Sequence, residues 1–136
     1  MIHYLTSCES LTPEQLTGFF VGWPNPPSAE THLRLLRQSG AVVLAVDEAT
    51  QRVVGFITAL TDGVLSAYIP LLEVLPEYQG QGIGRALVEH MLAQLKDCYM
   101  IDLVCDDELR PFYASLGLRP AAAMILRNYS RQSGGE

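Results

Sequence analysis

The segment Gln79-Gly80-Gln81-Gly82-Ile83-Gly84 constrains this chain more than any other. Three glycines at alternate positions remove side chains where a backbone must turn tightly, and they let successive N–H groups converge on an anion at a helix start. A helix follows at once. Ile83, Leu87, Val88, Met91, Leu92 and Leu95 recur at helical spacing, with Arg85, Glu89 and Lys96 mostly on the other side. The expected ligand is a pyrophosphate, and the apolar stripe should pack on a sheet. Glycines alone could merely shape a strand-to-helix turn, so the spacing has to decide. A Walker loop needs Gly-Lys-Ser/Thr, whereas Gly84 is followed by Arg85-Ala86. A dinucleotide loop needs G-x-G-x-x-G near the opening of its fold. Here the spacing is G-x-G-x-G, Arg85 stands where the last glycine belongs, and much of the chain comes first. The first alternative is excluded and the second disfavoured.

Hydrophobic periodicity and turn residues predict the order β, two helices, three β, α, β, α, β. Ile2 to Thr6 reads as a strand, and Thr12-Pro13-Glu14-Gln15 as a capped start of a helix running through Phe20. Trp23-Pro24-Asn25-Pro26-Pro27 is a stiff loop, and Ser28 caps a second helix that ends before Gly40. Ala41 to Val46 and Arg52 to Leu60 form a hairpin, Val64 to Leu75 the next strand, Tyr99 to Val104 another and Ala121 to Tyr129 the last.

With 136 residues, 49% of them hydrophobic, the chain is long enough for one packed domain, expected over residues 1–129 with a frayed tail at 130–136. A net charge of -6 without any Lys/Arg cluster argues against nucleic acid as a partner. No apolar run approaches the ~20 residues that span a bilayer, so no membrane partner is expected. Cys8, Cys98 and Cys105 suggest neither a disulfide framework nor a zinc site, and reduced thiols in the cytoplasm fit best. His3, His32 and His90 are scattered and make no metal pair. A monomer or a homodimer fits equally.

The stretch Val74-Leu75-Pro76-Glu77-Tyr78-Gln79-Gly80-Gln81-Gly82-Ile83-Gly84-Arg85-Ala86-Leu87 resembles the acetyl-CoA motif of the GNAT N-acetyltransferase superfamily, Gln/Arg-x-x-Gly-x-Gly/Ala. Downstream, Pro111-Phe112-Tyr113-Ala114-Ser115-Leu116-Gly117-Leu118 is similar to that family's late Phe-Tyr-x-x-x-Gly-Phe segment. The resemblance covers residues 64 to 120 and implies an α/β (α+β), three-layer fold. Its central sheet would be mixed and mostly antiparallel, of about six strands flanked by about four helices, and splayed at the central parallel strand pair. It also implies acetyl-CoA as cosubstrate, with backbone contacts to pantetheine from Val74 and to pyrophosphate from Gln79, Gly80, Gln81, Gly82, Ile83, Gly84 and Arg85.

The implied chemistry is direct acetyl transfer to a primary amine of a small molecule or protein, through a ternary complex. It needs a neutral amine, a stabilised oxyanion and a proton for the departing thiolate. The resemblance assigns the oxyanion to the Val74 N–H. Glu73 is the one acid in the apolar run Ile69 to Leu75, where burial would raise its pKa toward that of a useful base, and it acts directly or through water. Period-two alternation equally allows it an outward, purely structural place. Asp106 and Asp107 are second candidates, better suited to helix capping. Tyr113 stands where relatives place a tyrosine near the sulfur and can donate to the thiolate. Trp23, Tyr4 and Tyr68 are candidates for an acceptor pocket. A non-catalytic acyl-CoA-binding or sensing module, needing neither Glu73 nor Tyr113, is the competing reading.

Overall fold

In the computed structural model, which describes residues 1–135, six strands form one mixed sheet with three α-helices packed against it. Near-continuous apolar runs rich in valine make the centre. β2 (Ala41–Asp47) and β3 (Arg52–Thr61) pair antiparallel, and their middle residues are buried on both faces. β1 (Ile2–Leu5) adds antiparallel to β2. On the other side β3 has two successive neighbours: β5 (Leu72–Val74) along Gly55–Ile57 and β4 (Ser66–Ile69) along Leu60–Thr61. β6 (Met100–Leu103) then pairs parallel with β4 and ends the sheet.

The expected single strand Val64 to Leu75 is thus two short ones. Pro70 has no N–H to give a ladder, so the chain kinks at Pro70-Leu71 and resumes on β3 alone. β6 follows β4 and does not follow β5, so a wedge opens between β5 and the residues after Leu103.

Helix α1 (Ala29–Gln38) starts where Ser28 Oγ accepts from the Thr31 N–H at 3.1 Å, and it covers one face of the sheet. Helix α2 (Ile83–Gln94) lies on the other face against β2, β3 and β5, with Leu87, Val88 and Met91 wholly buried. It sits close because β3 carries Gly55 there. A Cβ at that position would stand 3.1 Å from Leu87 and 3.3 Å from Ile83. A short α3 (Arg110–Ala114) begins at the Pro111 turn and stops at Gly117, whose φ is +97°.

Three expectations require correction. The helix expected from Thr12 through Phe20 is a single 3-10 turn, Pro13–Leu16, because Gly18 (φ +93°), Phe20 (+62°) and Gly22 (+83°) leave the helical region. The helix count is accordingly three, not four. The strand expected over Ala121 to Tyr129 does not form; the segment is exposed and pairs with no neighbour among the described residues. The parallel pair therefore lies at the sheet's edge rather than at its centre. The C-terminal segment, expected to fray, makes a 3-10 turn at Tyr129–Arg131, and Gln132 accepts from the Asn25 N–H at 2.9 Å.

Candidate active site

The wedge is lined by main chain. Flanking β5, the Thr58 N–H donates to Leu71 O at 3.1 Å and the Leu75 N–H to Val54 O at 2.8 Å. Antiparallel alternation then turns the backbone groups of Leu72 and Val74 away from β3 and into the wedge. The Val74 carbonyl is taken by Gln79 Nε2 at 3.0 Å, which leaves its N–H facing the gap. The Gln79 side chain thereby ties the strand end to the glycine loop.

That loop is held at its entry by Tyr78, whose hydroxyl donates to Asp47 Oδ2 at 2.7 Å and lowers that carboxyl's pKa. The Gln79 N–H is occupied by Pro76 O at 3.3 Å, so the backbone group expected to reach pyrophosphate is already bonded. From Gly80 to Arg85, however, six successive N–H groups find no acceptor among the described residues. Gly80 and Gly82 adopt φ of +80° and +86°, and Gly82 caps α2 by accepting from the Ala86 N–H at 3.1 Å. Left-handed backbone, orphan first-turn amides and the positive end of the helix dipole converge on one exposed place, an arrangement that suits an anion.

The other components meet around Gly84. A Cβ built there would lie 3.8 Å from Val74 Cγ2 and 3.9 Å from Phe112 Cζ, so the loop, the strand end and α3 share one junction. Arg85 locks it, donating to Ser115 Oγ at 3.1 Å, while that hydroxyl donates to Phe112 O at 2.6 Å. Tyr113 packs edge-on to Phe112 with ring centres 4.9 Å apart and is 9% exposed. Burial, with a smaller contribution from the nearby Cys105 thiol, pushes its phenol up to about 12. Its hydroxyl stays protonated at neutral pH and has no hydrogen-bond partner among the described residues.

Glu73 is half-buried on β5, and both of its oxygens are engaged. Oε1 accepts from the Phe20 N–H at 2.8 Å and Oε2 from the Val21 N–H at 3.2 Å. The carboxylate therefore holds the turn in which Gly18, Phe20 and Gly22 all have positive φ. Phe20 is a non-glycine residue in a costly conformation, and two charge-assisted bonds offset that strain. Asp106 makes no side-chain capping bond, and Asp107 lies 3.7 Å from Arg110.

The anchored turn covers an imidazole that sequence reasoning left among scattered histidines. His32 is 1% exposed, neither ring nitrogen has a partner, and its ring meets those of Phe19, Phe20 and Phe56 at centroid distances of 5.4, 4.9 and 4.4 Å. Burial lowers its pKa to about 4. Beside it lies a cavity of about 220 Å³ bounded by residues including Gly18, Phe20, Pro27 and His32. The signal was its helical phase: His32 precedes Leu33 and shares with Leu36 the inner face of α1. Trp23 packs against Phe20 with tilted rings whose centres are 4.9 Å apart and belongs to this side, and Tyr68 projects from the same sheet face as Phe56. Tyr4 does not join them, because β1 pairing turns its ring to the opposite face, 4.9 Å from His90 of α2.

Comparison with known proteins agrees with this architecture. The sequence profile of the Acetyltransferase (GNAT) family matches residues 8–118. A crystal structure from Deinococcus radiodurans R1, assigned to the acetyltransferases, is 50% identical and superposes with a TM-score of 0.94 over 98% of this chain and 92% of that one. A GNAT family acetyltransferase from Streptococcus pneumoniae TIGR4 is 31% identical, with a TM-score of 0.76 over 94% of this chain and 98% of that one. The chloroplastic GCN5-related N-acetyltransferase 1 of Arabidopsis thaliana is 33% identical over 113 residues, which cover 80% of this chain but only 57% of that protein. Among the described residues no helix is long and apolar enough to cross a membrane, and no group of three potential metal ligands occurs.

Proposed function

We propose that this chain, which belongs to the acetyltransferase (GNAT) family, transfers the acetyl group of acetyl-CoA directly to a primary amine. The observation that carries this reading is the run of six unpartnered N–H groups from Gly80 to Arg85 beside the inward-turned Val74 N–H. Phosphate oxygens satisfy the first set, and a carbonyl oxygen the second.

In the reaction the amine nitrogen bonds to the thioester carbonyl carbon, and negative charge collects on the carbonyl oxygen, where the Val74 N–H stabilises it. Collapse breaks the carbon–sulfur bond and releases the thiolate. Tyr113 donates a hydrogen bond to that sulfur. Its raised pKa makes the phenol a weaker acid than a thiol near 8.5, so its help lies in the hydrogen bond rather than in net proton delivery. Glu73 positions the acceptor turn through Phe20 and Val21 and orients the water that takes the amine's proton. The cavity between Gly18, Pro27 and His32 receives the acceptor, with Trp23 at its rim through Phe20. The free thiols Cys8, Cys98 and Cys105 suit a reducing compartment, cytoplasmic in our reading; the plastid named for the Arabidopsis relative is the competing location.

One observation favours the competing reading of an acyl-CoA-binding module: both Glu73 oxygens are already bonded within the protein. Calorimetry with acetyl-CoA, followed by thioester consumption against a panel of amines, separates the two. Turnover with at least one amine is expected. Tight binding without turnover on any acceptor supports the module, and no binding at all sinks both.

A further inference from the structure

His32 occupies a place among aromatic rings that a phenylalanine could fill. Its ring lies between those of Phe19, Phe20 and Phe56 under α1 and is 1% exposed. What an imidazole adds is one N–H donor and one nitrogen acceptor, and neither has a partner among the described residues. Burying both unpaired costs folding free energy that a hydrocarbon ring would not. Burial also keeps the ring neutral at physiological pH, so it offers a donor and an acceptor without a charge.

The cavity of about 220 Å³ supplies a place for a partner. His32 bounds it, whereas Thr58, also buried, unpartnered and two residues along β3 from Phe56, does not. Leu16, Phe19, Phe20, Pro27 and Ala29 give it apolar walls, and among the described residues no acidic or other basic side chain bounds it. The Ser28 hydroxyl is committed, accepting from the Thr31 N–H at 3.1 Å and donating to Thr31 Oγ1 at 3.2 Å. Thr17 is exposed. His32 is therefore the buried polar side chain here that can still bond an occupant. Size restricts that occupant: an apolar cavity of about 150 Å³ holds benzene, so this one admits a single six-membered ring with a substituent. Glu30 already places a carboxylate in the first turn of α1, which disfavours a second negative group beside that helix end.

We propose that His32 is the specificity-determining residue of the acceptor side, hydrogen-bonding a neutral hydroxyl on a ring-sized apolar body that carries the primary amine. This rests on the acetyl-transfer reading and narrows its acceptor to amines whose remaining part is uncharged. The hydroxyl accepts from the ring N–H or donates to the other ring nitrogen, and either bond satisfies a group that is otherwise buried unpaired. Amino acids, sugar phosphates and polyamines would each bring a second charge into a cavity that holds no counter-charge.

The test compares phenethylamine with its para-hydroxyl and para-carboxylate derivatives, each repeated on the benzylamine skeleton one carbon shorter. Thioester consumption should give a kcat/KM about tenfold higher for the hydroxyl than for hydrogen, and lowest for the carboxylate. His32→Phe keeps a ring and removes both nitrogens. It should bring the hydroxyl-to-hydrogen ratio to about one, chiefly through KM, with acetyl-CoA affinity retained. No hydroxyl preference in the unaltered protein, or a preference that survives in His32→Phe, overturns the proposal. A measurement without any variant guards against misfolding: the ring nitrogen resonances of His32 should move when the hydroxylated amine is added with coenzyme A, and stay in place with phenethylamine. Resonances that ignore the hydroxyl overturn the proposal. If no amine is acetylated, the acetyl-transfer reading fails, and the same resonances still decide whether His32 binds the hydroxylated body.

Discussion

Between Gly80 and Arg85 the unpartnered groups are backbone amides, whereas around residues 16–32 the surroundings are aromatic rings, an imidazole and the wall of a cavity. The first region offers its main chain, with glycine at the positive φ of residues 80 and 82. The second depends on which rings are present and on Glu73, a residue of another element, to hold its turn. The contrast fits the division of labour proposed above: main-chain donors suit an anion of fixed shape, and side chains let one scaffold meet different acceptors.

The contrast is broken most severely at Gly82. Its φ of +86° is strained for any β-branched residue, so Gly82→Val should weaken acetyl-CoA binding about 100-fold while thermal stability falls little. Calorimetry showing unchanged affinity would remove the cradle from the site. In the aromatic region His32 offers a pH test. Its folded pKa of about 4 lies below the ordinary value near 6.5, so the unfolded chain binds the extra proton between them. Stability is then full above about pH 6.5 and declines as pH falls toward 4, by about 2 kcal/mol at pH 5. Denaturant melts should show His32→Phe losing much of that pH slope; an unaltered slope means that other groups produce it.

Glu73→Gln sharpens the comparison, because the amide keeps one acceptor and gives up the charge. We expect a loss of about 1.5 kcal/mol, seen mainly as a raised acceptor KM with acetyl-CoA affinity intact. If kcat alone collapses, Glu73 acts on protons and not on the turn. The smallest effect is expected for Tyr113→Phe, which removes one hydrogen bond worth about 1 kcal/mol and should lower turnover roughly fivefold with binding unchanged. Unchanged turnover ends its role at the sulfur.

Local chemistry wrote much of the fold openly. The β2–β3 hairpin, the Ser28 cap, the apolar stripe of α2 and the Gly117 stop follow from propensities that act within a few residues. Where the sequence misled, a distant partner decided. The run after Thr12 has a sound cap, yet Gly18 and Gly22 break the helix and Glu73, 53 residues from Phe20, stabilises the break. Gly55 inside a strand is the local signal of close helix approach. Tyr4 was grouped with Trp23 and Tyr68 by type, but strand parity puts it on the other face, a matter of register and not of composition.

The sequence by itself therefore made the glycine loop and its helix legible, because both are contiguous: spacing of glycines and the start of a helix are properties of neighbours along the chain. The tertiary structure alone decided what Glu73 holds, how His32 comes to be buried without a partner, and where residues 121–126 stand. Each of these depends on groups far apart in sequence. A continuous apolar run can read as strand-like, but only the packed sheet shows that no strand of its own molecule pairs with it.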